Sequence, residues 1–266
     1  MNAQAALSKV PAVTLGFWLI KIVATTLGET AGDTVSMTMN WGYLAGTALF
    51  VVTLAVLGGV QISAKKFHPL LYWAAIIAST TAGTTLADFA DRSLGIGYLG
   101  GSSLLLALVI ASLGVWYWSE RTISVDTVNR PKVEMFYWAT ITFSQTLGTA
   151  LGDWTAAGDD DPAATTGSLG VGYLGGAAIF GTALAVVAAL YFFTKLSRPL
   201  LFWAAFILTR PLAATLGDFL DKPFDHGGLA LSRPVASGVL LALMLAGVLL
   251  LLPRAGAHPG KAAPQA

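Results

Sequence analysis

A tryptophan and an aspartate stand fifteen residues apart four times in this chain: Trp18 and Asp33, Trp73 and Asp88, Trp138 and Asp153, Trp203 and Asp218. The residues before each aspartate repeat as well. They read Thr25 to Asp33 (TTLGETAGD), Thr81 to Asp88 (TAGTTLAD), Thr146 to Asp153 (TLGTALGD) and Pro211 to Asp218 (PLAATLGD). Four equal spacings make an internal repeat, and a repeat restricts the chain to stacked or cyclically arranged copies of one unit.

The medium follows from the residues around the repeats. Only 11% of the chain is charged while 55% is hydrophobic, and the mean hydropathy is +0.71. Soluble domains carry about 25% charged residues. Apolar runs of helical length recur throughout, so the fold class expected is an all-α membrane protein with eight transmembrane helices. The spans fall at 12–34, 42–64, 69–90, 97–119, 133–155, 171–194, 199–220 and 234–252. The short alternating segments of a membrane barrel are absent. The first run carries the same Trp-to-Asp pattern as the others and no evident small-residue cleavage site, so it is read as a span and not a signal peptide.

Each unit therefore holds an odd span, with the Trp and the Asp, and a blander even span. Three even spans open on Gly-Tyr-Leu, at Gly42, Gly97 and Gly172. Basic residues gather at one end: Lys9, Lys65, Lys66, Arg121, Arg130, Lys132, Lys195, Arg198, Arg254 and Lys261, against Arg92, Lys222 and Arg233 at the other. The positive-inside rule then places both termini in the cytoplasm and the aspartate ends outside. Proline precedes the Trp by seven residues in the first and third units and by four in the second and fourth, and only the latter two add a second aspartate, Asp91 and Asp221. The chain thus divides into halves, 1–126 and 127–266, with a pseudo-twofold axis along the membrane normal and a short disordered C-terminal tail.

Four tandem two-span units, each with a tryptophan, resemble a family of bacterial integral membrane proteins described as having a repeat of unknown function. The resemblance covers nearly the whole chain. It implies eight spans in a bacterial inner membrane and attaches no activity.

The residues carry the functional reading. Counted from each Trp, positions +8, +11, +15 and +18 fall within an arc of about 80° on a helix. That stripe holds Thr26, Glu29 and Asp33; Thr81, Thr84, Asp88 and Asp91; Thr146, Thr149 and Asp153; and Asp218 with Asp221. Positions +10 and +14 are Gly28/Gly32, Gly83/Ala87, Gly148/Gly152 and Ala213/Gly217, a small-x-x-x-small pattern that lets backbones approach. Carboxylates at membrane depth are costly unless paired, hydrated or protonated. Oxygen-only ligands suit hard cations, and crowded carboxylates suit proton exchange.

The expectation is a transporter moving a cation, a divalent metal or one coupled to protons, along the odd helices. The alternative is a non-transporting scaffold, sensor or assembly partner whose stripe only holds helices together. Arg210 is the obvious partner for Glu29, and Arg210-Pro211 kinks span 7. Lys21 reads as snorkelling to the interface, the four Trp as interface anchors, the Tyr of Gly-Tyr-Leu as an aromatic belt, and Asp159 to Asp161 as a solvated loop. The chain has no cysteine, and its three histidines do not cluster. Neither an enzyme nor a cofactor is expected, nucleic acid has no basic patch to bind, and the expected partners are the bilayer, a metal cation or a proton. Self-association of two copies is left open.

Overall fold

The computed structural model describes residues 7–158, 161–165 and 167–257. Eight long helices run α1 (Leu15–Asp33), α2 (Gly42–Ser63), α3 (Pro69–Asp88), α4 (Gly97–Glu120), α5 (Pro131–Ala156), α6 (Gly172–Phe193), α7 (Arg198–Asp221) and α8 (Arg233–Leu251). All sixteen helix ends lie within three residues of the spans read from the sequence. Proline opens α3, α5, α7 and α8 at a position whose N–H would have no helical partner. Helix α7 continues through Pro211. Single π-helical turns, Thr34–Thr38 and Phe89–Ser93, extend α1 and α3. The Gly-Tyr-Leu glycines have φ of +76°, +72° and +70°, so this position turns the chain through the left-handed region before each even helix.

The odd helices form a closed ring: α1 packs on α3, α3 on α5, α5 on α7, and α7 back on α1. Glycines set the spacing. A Cβ on Gly28 would stand 2.1 Å from Thr80, one on Gly148 2.1 Å from Arg210, and one on Gly83 2.9 Å from the backbone of Gln145. Position +10 of one unit thus receives position +7 of the next. One turn on, Gly32 faces Thr84, Gly152 faces Ala214, and Gly217 faces Glu29, which closes the ring from the fourth unit to the first.

The even helices clothe this ring in the same cyclic sense. Each packs on the odd helix of the following unit: α2 on α3, α4 on α5, α6 on α7, and α8 on α1. In their most apolar windows only 11% of α2 and α6 is buried, against 72% of α3 and 61% of α7. Leu44, Val52, Val56, Leu174, Val186, Val239 and Leu243 point outward from this sleeve. Six helices, α2, α3, α4, α6, α7 and α8, are long and apolar enough to cross a membrane.

At the Trp end the first and last described segments meet. Strand β1 (Leu7–Pro11) pairs antiparallel with β2 (Ala255–Ala257). Part of the segment read as a disordered tail is therefore ordered by backbone pairing; the rest, 258–266, lies outside the described residues. Lys9 Nζ binds Glu134 Oε1 at 2.6 Å and the carbonyls of Gln61 and Ile62, so the strap is anchored to α5 and α2.

The Trp end also corrects two expectations. Trp73 and Trp203 are 1% exposed and Trp138 7%, so three of the four tryptophans are core residues and not interface anchors. They pack with Phe17, Tyr72, Tyr137 and Phe202, the residues preceding each Trp, and the Tyr72 and Tyr137 hydroxyls meet at 2.6 Å. Inside a ring, the face that a lone helix would turn to lipid meets a neighbouring helix. For the same reason Lys21 does not snorkel. It is fully buried, donates to Phe206 O at 3.2 Å and lies 4.0 Å from the Phe206 ring.

Candidate functional site

Counting on from each Trp gives the contents of the ring. Residues at +3, +7, +11, +15 and +19 follow one another by four, a row that winds slowly round a helix. The contacts of the ring follow this row. Position +3 supplies Lys21, Ile76, Ile141 and Phe206; +7 supplies Thr25, Thr80, Gln145 and Arg210; +11 supplies Glu29, Thr84, Thr149 and Ala214. All twelve are buried, and Glu29, at 3%, is the most exposed of them.

All four odd helices meet at Arg210. Its Nη2 stands 2.6 Å from Glu29 Oε2, 2.7 Å from Thr84 Oγ1 and 2.5 Å from Thr149 Oγ1. Both hydroxyls are also within reach of Glu29 Oε2, at 3.3 and 3.5 Å. A guanidinium can serve several acceptors at once because its donors are fixed in a plane. The Arg210 stem lies over Gly148, which has no side chain to obstruct it.

The aspartates form the next layer. Asp33, Asp88, Asp153 and Asp218 are between 1% and 8% exposed, so all four turn into the protein. Three are met by the chain's own cations. Lys222 Nζ lies 2.8 Å from Asp33 Oδ2 and 3.1 Å from Asp218 Oδ1, and Arg92 Nε lies 3.2 Å from Asp88 Oδ1. Arg233 Nε pairs with Asp221 Oδ2 at 3.0 Å. Asp153 has no ion-pair partner among the described residues. Burial disfavours the Lys222 ammonium, but the carboxylates of Asp218, Asp33 and Asp221 outweigh this and hold its pKa well above the ordinary lysine value. Asp33, Asp218 and Asp221 each bring one oxygen within 4.8 Å of the others, the arrangement closest to a cation site among the described residues.

Several residues of the polar stripe lie apart from this network. Thr26, Thr81 and Thr146 donate back to carbonyls of their own helices, at Ile22, Ile77 and Thr142. Helical threonine commonly satisfies its hydroxyl this way, so position +8 faces the ring without joining the site. Asp91 is buried against Gly101, and neither of its oxygens has a partner. Asp161 is not a solvated loop residue: it binds Arg92 and accepts from the Tyr98 hydroxyl at 2.9 Å. Tyr98 is accordingly buried and belongs to no aromatic belt. Asp159 and Asp160 lie outside the described residues.

Sequence reasoning places Lys21 at the interface, names Arg210 but not Thr25, Thr80 or Gln145 of the +7 layer, and uses the cations Arg92 and Lys222 only for orientation. The signal for the last two was present, since both fall at +19, four residues after the aspartate of the second and fourth units.

Four consecutive matches cover residues 16–67, 71–122, 136–197 and 201–255, all to the family described as Repeat of Unknown Function (DUF347). The chain belongs to that family. Each match begins two residues before a repeat tryptophan, so the family's unit is the odd–even helix pair seen in the fold. No curated protein and no solved structure matches the chain.

Proposed function

We propose that this DUF347 chain is a polytopic membrane transporter whose cation step, a proton or a divalent metal ion, is carried by the carboxylates of the odd helices. The observation behind the reading is the placement of Glu29 and four aspartates inside a helix ring whose outer face is apolar. On this reading all eight helices cross the bacterial inner membrane. Helices α1 and α5 are the more polar two, but they occupy the same ring positions as α3 and α7. The basic residues put the Trp end and both termini in the cytoplasm. The two halves are related by a pseudo-twofold axis, supported by the paired Asp88–Arg92 and Asp218–Lys222 contacts at matching positions.

Proton coupling fits the geometry better than passage of a bare metal ion. Lys222 and Arg92 already occupy the aspartates, and Arg210 stands across the axis below them. A proton needs only a chain of oxygens. Asp153, without a cationic partner among the described residues, is one helical turn from Thr149, and Thr149 reaches Glu29. The Tyr72–Tyr137 contact joins α3 to α5 at the Trp end, where one gate of an alternating-access carrier would lie.

The test is flux. In liposomes carrying a pH-sensitive dye, the parent should pass protons, and Asp153→Asn and Asp218→Asn should slow that passage. In cells, the same variants should alter tolerance to divalent metals or to pH. No flux from the parent, with aspartate variants that merely unfold more readily, would favour the second reading. That reading is a non-transporting scaffold or assembly partner, and the pairing of Asp33, Asp88, Asp218 and Asp221 with internal cations speaks for it.

A further inference from the structure

Below the Arg210–Glu29 contact the ring contains polar groups with nothing to bind. Arg210 Nε and Nη1, Gln145 Oε1 and Nε2, and Thr80 Oγ1 are all buried without a hydrogen-bond partner among the described residues. All three residues are 0% exposed. They share position +7 on three neighbouring helices of the ring. Thr80 and Gln145 lie one turn, about 6 Å, from Thr84 and Thr149, the two hydroxyls that touch Arg210 Nη2. Buried polar atoms are nearly always paired, so orphans on three side chains from one position of the repeat call for a partner that is not a side chain.

The chemistry of the orphans says what kind. Nε offers one N–H and Nη1 two, the Gln145 amide two more, and Thr80 a hydroxyl; of these residues only Gln145 Oε1 is solely an acceptor. The unmet demand is for acceptor atoms. Charge points the same way. Between the aspartate layer and the Tyr72–Tyr137 contact, Lys21 and Arg210 are buried; Glu29 pairs with Arg210 at 2.6 Å, and Lys21, held on Phe206 O, has no carboxylate partner among the described residues. Of the four aspartates above, Asp33, Asp88 and Asp218 are engaged by Lys222 and Arg92, and Asp153 stands one turn beyond Thr149, on the far side of the Arg210–Glu29 contact. A buried cation without compensation is costly, and a small anion beside it removes that cost.

We infer that the +7 layer, formed by Arg210, Gln145 and Thr80, is a binding site for a small monovalent anion such as nitrate or the carboxylate of a short acid. The inference rests on the transport reading only for its physiological meaning, which would be movement of an anion together with the proton handled by Glu29 and the aspartates. Binding itself stands apart from flux.

The probe is nitrate. The purified full chain in detergent is melted while sodium nitrate replaces sodium gluconate at constant sodium, gluconate being too bulky for a layer between four packed helices. The melting midpoint of the parent should rise and saturate. Gln145→Leu and Thr80→Val remove orphan groups without removing volume, and should fold at least as stably in gluconate. In both, the nitrate concentration for half-saturation should increase at least tenfold, or the response should vanish. A parent midpoint that does not rise, or variants that respond as the parent does, would overturn the site and leave water as the partner of these groups. A saturable nitrate response without proton flux in liposomes keeps the anion site and removes the transport reading. Flux that is equal in both salts, with no midpoint shift, does the reverse.

Discussion

Arg210 and Glu29 are 181 residues apart in the chain, yet Nη2 and Oε2 meet at 2.6 Å with side chains 0% and 3% exposed. The contact joins the first unit to the fourth, at the seam where the ring closes. Removing one member of a buried pair leaves an uncompensated charge and costs about 3–5 kcal/mol. Glu29→Gln and Arg210→Met should each destabilise the fold by about that amount. Combining Glu29→Leu with Arg210→Met should recover most of the loss, because replacing a buried pair by apolar groups is often neutral. Unfolding of the single and double variants in mixed micelles measures the coupling.

Glycine substitutions should divide sharply by position. A Cβ on Gly148 would lie 2.1 Å from Arg210 Cγ and 2.4 Å from its Cβ, and one on Gly28 2.1 Å from Thr80 Cγ2. Gly148→Ala should therefore separate α5 from α7 and cost at least the ~1–3 kcal/mol typical of overpacking. Gly58, Gly114 and Gly181 on the even helices meet nothing within 4 Å. Alanine there should be neutral or stabilise by up to ~1 kcal/mol through helix propensity. Thermal midpoints of the two sets give the comparison.

Lys222 holds Asp33 and Asp218 together, and its raised pKa fixes the pH range over which it does so. A group whose folded pKa is raised contributes stability that is complete below its unfolded pKa, about 10.4 for lysine, and is lost as pH climbs through the folded value. The stability difference between the parent and Lys222→Met should accordingly show no step from lysine titration between about pH 6 and pH 9. Asp33→Asn added to Lys222→Met should restore part of the loss. Melting curves across that pH range test both statements.

The Tyr72 and Tyr137 hydroxyls at the Trp end are each other's only side-chain partners among the described residues. Tyr72→Phe or Tyr137→Phe alone strands one buried hydroxyl, at about 1–3 kcal/mol. The double Phe variant should be less destabilised than the sum of the singles. A double-variant cycle on unfolding reads the difference.

Much of this architecture was legible in the amino acids. The Trp-to-Asp spacing fixed four units, and the helix ends followed from hydropathy, proline and glycine. Glu29 and Arg210 stood out because charged residues in apolar runs are rare. The burial of Trp73 and Trp203 was not legible, since an apolar helix face looks the same whether lipid or another helix covers it. Lys21 was misread for a related reason. Relative to Asp33 it lies about 120° round a straight helix, off the apparent stripe, but the packed helices meet along the row of every fourth residue, which brings it inside. Lys222 and Arg92 were legible as cations four residues after an aspartate, but the reach of Lys222 to Asp33 and of Arg92 to Asp161 depends on how the ring brings distant units together.

The order of packing leaves the ring without a privileged beginning. Each even helix leans on the next unit, α8 leans on the first, and β1 with β2 brings the first and last described segments side by side. A gene recut between Arg121 and Pro131, with the old ends joined by a short linker, would keep every helix-to-helix neighbour. The same circular logic lets a chain of two units find its complement in an identical copy.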